Sequence, residues 1–173
     1  MYQKRRLIVL IRFLYSQKTK NYTAYLENID LYRDIKIPVK FDTGAIATIF
    51  TTKALGLNKE GEKVIANRIE QKAMIKKNFT SATGHTFYGY PCYCDNIRLD
   101  DVILRRFYYY LVLDGSRSKA LIGDDFISCC TFSHGYESDI VVTGFNAEKY
   151  EKKCMLRAMA LNIFEILSLE GKL

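Results

Sequence analysis

Proline occurs only at Pro38 and Pro91, and histidine only at His85 and His134. So little proline excludes a proline-rich or collagen-like chain, and neither an internal repeat nor a low-complexity segment is present. The five cysteines (Cys92, Cys94, Cys129, Cys130 and Cys154) include no C-x-x-C pair. With only two histidines to complete a cluster, they lack the regular spacing of a metal site, and no metal or cofactor is expected. Their odd number reads as free, mostly buried thiols in a reducing compartment. Cys92 and Cys94, two apart on a strand, would face the same way. No glycine-rich phosphate loop occurs. Ser133-His134, Cys92 and Cys94 make no recognisable nucleophile–base arrangement. The opening MYQKRRLIVLIRFLYS starts basic, but Arg12 breaks its apolar run and no small-residue cleavage site follows. It is too short to span a bilayer. It reads as a strand, and the protein as soluble and cytoplasmic, with no membrane partner.

What is present favours strands. The chain has 173 residues, enough for one domain with a real core, and 13 Tyr and 10 Phe join many Ile and Val. The net charge of +7 gathers near the start (Lys4, Arg5, Arg6, Arg12, Lys18, Lys20) and at Lys149, Lys152, Lys153 and Arg157. Such an excess is ordinary for a solvated surface. It is the sole argument for nucleic acid, which is not an expected partner.

Hydrophobic patterning predicts strands at Leu7–Tyr15, Tyr22–Leu31 and Ile35–Phe41, with a charged turn over Leu26–Lys36. Ile35, Ile37, Val39 and Phe41 alternate onto one face. A short helix is expected at Thr51–Leu57, closed by Gly56. The charged stretch from Asn58 to Lys77 predicts strands near Lys63–Arg68 and Lys72–Phe79. Ser81-Ala82-Thr83-Gly84-His85 reads as a hairpin turn into a strand at Phe87–Leu99. Asp100-Asp101 turns the chain into Val102–Leu113. Leu121-Ile122-Gly123-Asp124-Asp125-Phe126 passes from a short strand into a helix with acids at its positive end. Strands near Thr131–Ser133 and Asp139–Val142 follow. Asn146 is placed to cap a helix from Ala147 to Leu169, ending at Gly171, with Leu156, Met159, Ile163, Ile166 and Leu167 on one face.

The string with chemical content is Phe41-Asp42-Thr43-Gly44-Ala45, a carboxylate ending an apolar strand before a tight turn. It resembles the active-site turn of the retropepsin-like aspartic proteases. Roughly 80 residues later that family carries two apolar residues, a glycine and a helix, which Leu121, Ile122, Gly123 and Asp124-Asp125-Phe126 match. Between them the family has a glycine-containing hairpin, the flap, and Ala82–Thr86 sits in its place. The resemblance spans roughly residues 20–145. It implies a mostly-β, closed-barrel acid-protease fold over 1–145 with a short helix after Gly123. An added amphipathic helix would occupy 146–173.

The resemblance implies an aspartic endopeptidase acting on polypeptide. Asp-Thr-Gly occurs once here, and the mechanism needs two facing carboxylates, so it also implies a homodimer with Asp42 from each subunit. Thr43 would reach across the two-fold axis, Gly44 would admit the substrate backbone, and Ala45, Leu121 and Ile122 would line the pocket. Gly123 would allow close packing behind the turn. Thr83, Gly84 and His85 would form the flap. Many viral members carry an acid shortly after the turn and an arginine after the later glycine. Ile46 and Asp124 stand there in this chain, so dimer strength must come from elsewhere. The alternative is a dimeric binding or scaffold module without turnover.

Overall fold

The computed structural model describes residues 8–28, 36–134, 139–157 and 159–171. Lys4, Arg5, Arg6 and most of the turn expected at 26–36 lie outside the described residues, as do the side chains of His134 and Leu156.

Among the described residues ten strands follow in chain order: β1 (Ile11–Ser16), β2 (Asn21–Asn28), β3 (Lys36–Phe41), β4 (Ile49–Thr51), β5 (Lys77–Thr80), β6 (Thr86–Leu99), β7 (Val102–Val112), β8 (Ala120–Ile122), β9 (Cys130–His134) and β10 (Ile140–Phe145). The helices are α1 (Lys59–Gln71), α2 (Asp124–Ile127), α3 (Ala147–Cys154) and α4 (Ile163–Leu169), with one 3-10 turn at Met155–Arg157. The strands form one sheet in the order β5-β6-β7-β4-β8-β3-β2-β1-β10-β9, and a further pairing of β6 with β2 closes a ring. That ring is a six-stranded barrel, β6-β7-β4-β8-β3-β2. The mostly-β closed barrel expected from the sequence, with a short helix after Gly123, is therefore present.

Alternation explains the barrel walls. On β3, Ile37 and Val39 are buried and Lys36 and Pro38 exposed. Pro38, which cannot donate to a ladder, pairs with β2 but lies before Lys40, where β8 begins to pair. Leu99 and Val102 face each other across the two-residue turn, and Asp100 there adopts φ 50°. Short polar side chains tolerate that left-handed region. The Asp100 carboxylate also accepts from the Arg12 N–H at 2.7 Å.

Three expected elements differ. Residues 63–68 are helical, not strand. The Asn58 side chain caps α1 by accepting from Gly61 N at 2.7 Å, and Gly61, Ile65 and Ile69 form its buried stripe. The helix at Thr51–Leu57 is replaced by β4 and a turn. The backbone N–H groups of Thr51 and Thr52 bond Lys119 and Val112, which holds them to the sheet, and Gly56 ends the turn at φ 73°. The long C-terminal helix is broken in two. Asn146 caps the first piece and Gly171 follows the last at φ 64°, as expected. Between them Leu161 is drawn into a parallel bridge with Cys92, bonding Pro91 and Tyr93, and Asn162 caps a new helix. Met159 is exposed, whereas Ile163 and Leu167 are fully buried. The C-terminal segment shares the main core: Tyr150, Leu161 and Phe164 pack in one cluster with Ile11, Val39 and Phe107.

Candidate functional site

Asp42 stands where β3 leaves the barrel. β3 and β8 run parallel, with Phe41 opposite Ile122, and the Asp42 N–H donates to Ile122 O at 3.0 Å. The chain then turns tightly. Ala45 N donates to Asp42 O at 3.2 Å, and Gly44 N donates to Asp42 Oδ1 at 3.0 Å. Asp42 is half-buried, Thr43 and Gly44 are exposed, and Ala45 is half-buried. Gly44 does not have a positive φ. Its constraint is proximity, since a Cβ there would lie 3.3 Å from Asp42 Oδ1.

A second layer fixes this turn from behind. β8 lies between β3 and β4, parallel to the first and antiparallel to the second, so the turn closes around its end. A Cβ on Gly123 would meet Ala47 C and O at 2.3 Å and Ala45 O at 2.9 Å. Real carbons do not approach so closely, and only glycine fits. The next residue locks the contact, with Asp124 N donating to Ala45 O at 2.8 Å.

Below that lies a buried polar chain that sequence reasoning missed. Asp125 Oδ1 accepts from Thr48 N at 3.0 Å and from Thr48 Oγ1 at 2.7 Å. Thr48 Oγ1 in turn accepts from Gly123 N at 3.3 Å. Asp125 Oδ2 pairs with Arg157 Nη2 at 2.8 Å, each side chain being only 9% exposed. The Arg157 guanidinium also lies 4.4 Å from the Tyr110 ring centroid. Burial works against its charge, but the hydrogen bond and charge of Asp125 hold its pKa above the ordinary value. The partners are 32 positions apart. A buried Thr48 within an apolar run and an acid at a helix start are common, so no local pattern announces the pair.

The remaining expected residues divide. Ile122 is fully buried in the main core, and Leu121 is half-buried. Thr83, Gly84 and His85 lie at the exposed tip of the β5–β6 hairpin. Ser81 N donates to His85 O at 2.8 Å, His85 N donates to Ser81 Oγ at 3.1 Å, and Gly84 takes φ 84°. The hairpin base is tied to the turn by a small second core of Ala47, Ile49 and Phe79. There Phe79 stacks on Phe87 at 5.5 Å and meets Tyr110 edge-on at 5.3 Å. Ile46 is 63% exposed. Asp124 makes a surface pair with Lys153 at 3.6 Å. The thiols carry no comparable chemistry. Burial pushes Cys92 and Cys94 far up, Cys130 up to about 12 and Cys154 up to about 11.

Fold and site together define a mostly-β closed-barrel protein that presents one carboxylate on a braced tight turn. No protein family's sequence profile matches the chain, and no curated protein does either. Among solved structures it is similar to the crystal structure of a retropepsin-like aspartic protease from Rickettsia conorii. The two share 13% identity at a TM-score of 0.48, over 76% of this chain and 96% of that one. No helix among the described residues is long and apolar enough to cross a membrane.

Proposed function

We propose that the chain is an aspartic endopeptidase that works as a homodimer, each subunit contributing Asp42. The observation that carries this reading is the Asp42 turn itself. A half-buried carboxylate accepts from Gly44 N at its tip, and Gly123 braces it from behind through contacts that admit no side chain.

One carboxylate does not hydrolyse an amide by this route; two facing ones do. Held about 3 Å apart, they cannot both ionise and so share a proton. The ionised member takes a proton from a water held between them, and the protonated member donates to the scissile carbonyl. The water adds to the carbonyl carbon, the carboxyl that took its proton passes that proton to the amide nitrogen as the C–N bond breaks, and no covalent enzyme intermediate forms. Thr43 cross-links the two turns, Ala45, Leu121 and Ile122 shape the pocket, and the hairpin tip of Thr83, Gly84 and His85 closes over the substrate and excludes water. Domain limits of 1–145 for the protease and 146–173 for the C-terminal addition belong to the same proposal, as does a cytoplasmic location.

The test is Asp42→Asn, which changes the charge and preserves the shape. Parent and variant are incubated with a mixed peptide library between pH 4 and 7, and sedimentation checks the oligomer. Loss of cleavage with an unchanged fold and dimer is expected. Equal cleavage by the variant would end the assignment, and a parent inert toward every peptide would favour the non-catalytic scaffold.

A further inference from the structure

On the flank of the barrel a cavity of about 520 Å³ opens between the end of α1, the start of β5 and the segment that breaks the C-terminal helix. Its volume is that of a small-molecule site. Met74, Ile75 and Met159 give it an apolar wall, and Ile75 and Met159 are 88% and 79% exposed. Both line the one cavity with their side chains open to solvent.

The charge of the same cavity has one sign. Lys72, Lys76, Lys77 and Arg157 line it, and among the described residues no acidic side chain does. Three of these cations lie over rings. Lys77 Nζ lies 5.3 Å from the Tyr110 centroid, Arg157 Cζ lies 4.4 Å from the same centroid, and Lys76 Nζ lies 4.0 Å from that of Tyr88. Asp125 occupies Nη2 of Arg157, whereas Nη1 is buried without a hydrogen-bond partner.

We propose that this cavity binds a small carboxylate carried on an apolar body, the anion among the cations gathered at Tyr110 and the body against Met74, Ile75 and Met159. Apolar wall and positive rim together select for an amphiphile. Inorganic anions lack the first contact and neutral apolar molecules the second. Two sources supply this chemistry: a medium-chain fatty acid, and a short peptide ending in an apolar residue. The site stands independently of whether Asp42 cleaves peptides.

The full chain is titrated calorimetrically with decanoate and, separately, with an acetylated Ala-Ile-Leu tripeptide bearing a free carboxylate. Decanol and the C-terminal amide of the peptide are the controls. Saturable one-site binding of at least one carboxylate is expected, weakening as salt rises, with the control about tenfold weaker or silent. The stronger of the two carboxylates identifies the source. Amide resonances of Ile75 and Tyr110 should shift on binding. Lys77→Glu removes a rim charge, and Met159→Asp spoils the wall at a side chain too exposed to matter for folding. Each should weaken binding by about tenfold. The proposal is overturned if neither carboxylate saturates, if decanol or the amide binds as well, or if both variants bind like the parent.

Discussion

Arg157 is the residue whose removal should be felt furthest from its own position. It neutralises Asp125, and Asp125 holds Thr48, which accepts from the Gly123 N–H directly behind the Asp42 turn. Deleting one partner of a buried ion pair leaves the other charge uncompensated, at a typical cost of about 3–5 kcal/mol. Arg157→Met should therefore lower the unfolding free energy, read from urea melts, by an amount in that range. Asp125→Asn keeps an oxygen for Thr48, so adding it to Arg157→Met should recover part of the loss. Strict additivity of the two changes would mean that the pair is not coupled. The thiols give a second prediction at this scale, with a definite sign. Burial raises Cys130 and Cys154 from 9.0 to about 12 and about 11. The folded state keeps protons that the unfolded state releases, so this contribution is complete below pH 9 and fades as pH climbs toward 11–12. Stability measured by urea should fall as pH rises above 9, steepening between about pH 10 and 11. A flat profile there would show the thiols to be accessible.

At the scale of elements, caps decide where helices begin. Asn58 accepts from Gly61 N at 2.7 Å in a geometry that satisfies one of the orphan donors of α1. Asn58→Ala should cost about 1 kcal/mol, read from the urea midpoint, and Asn58→Asp should cost almost nothing. The same cap shows what could be read from the sequence. Asn146, Gly171 and the Asp100-Asp101 turn were legible because each acts through its own backbone, and the β3, β6 and β7 strands were legible because their alternation is long. Asp42, Gly44 and Gly123 were legible as a motif. α1 was not, because only Gly61, Ile65 and Ile69 are buried and the charged residues between them hide a three-residue stripe. The break at Leu161 was not, because its cause is a distant strand: the Pro91 and Tyr93 backbone captures Leu161 against the helical pattern of its neighbours. The Asp125–Arg157 pair was not, because nothing local joins residues 32 apart.

At the scale of the whole molecule, the lone Asp42 turns catalysis into a question of stoichiometry. If each active unit needs two copies, chains carrying Asp42→Asn should poison intact ones by pairing with them. Once equal amounts have exchanged, dimers of two intact chains are about one quarter of the total, so activity per intact chain should fall to about one half. An independent monomeric site would lose nothing. The surface beside the turn supplies the companion variant. Ile46 is 63% exposed, four positions past Asp42, and Phe132 is 39% exposed on the outer strand β9 with its ring 5.6 Å from Phe41. Apolar side chains so placed suit an interface that must bring two turns together. Ile46→Asp should leave the unfolding free energy of the barrel, read from urea melts, within about 0.5 kcal/mol of the parent, since the side chain is a surface one. In sedimentation it should shift the protein toward monomer, and peptide hydrolysis should become steeply dependent on protein concentration. Activity that stays proportional to concentration in a demonstrably monomeric Ile46→Asp protein would place all of the chemistry in one chain, where Asp-Thr-Gly occurs once.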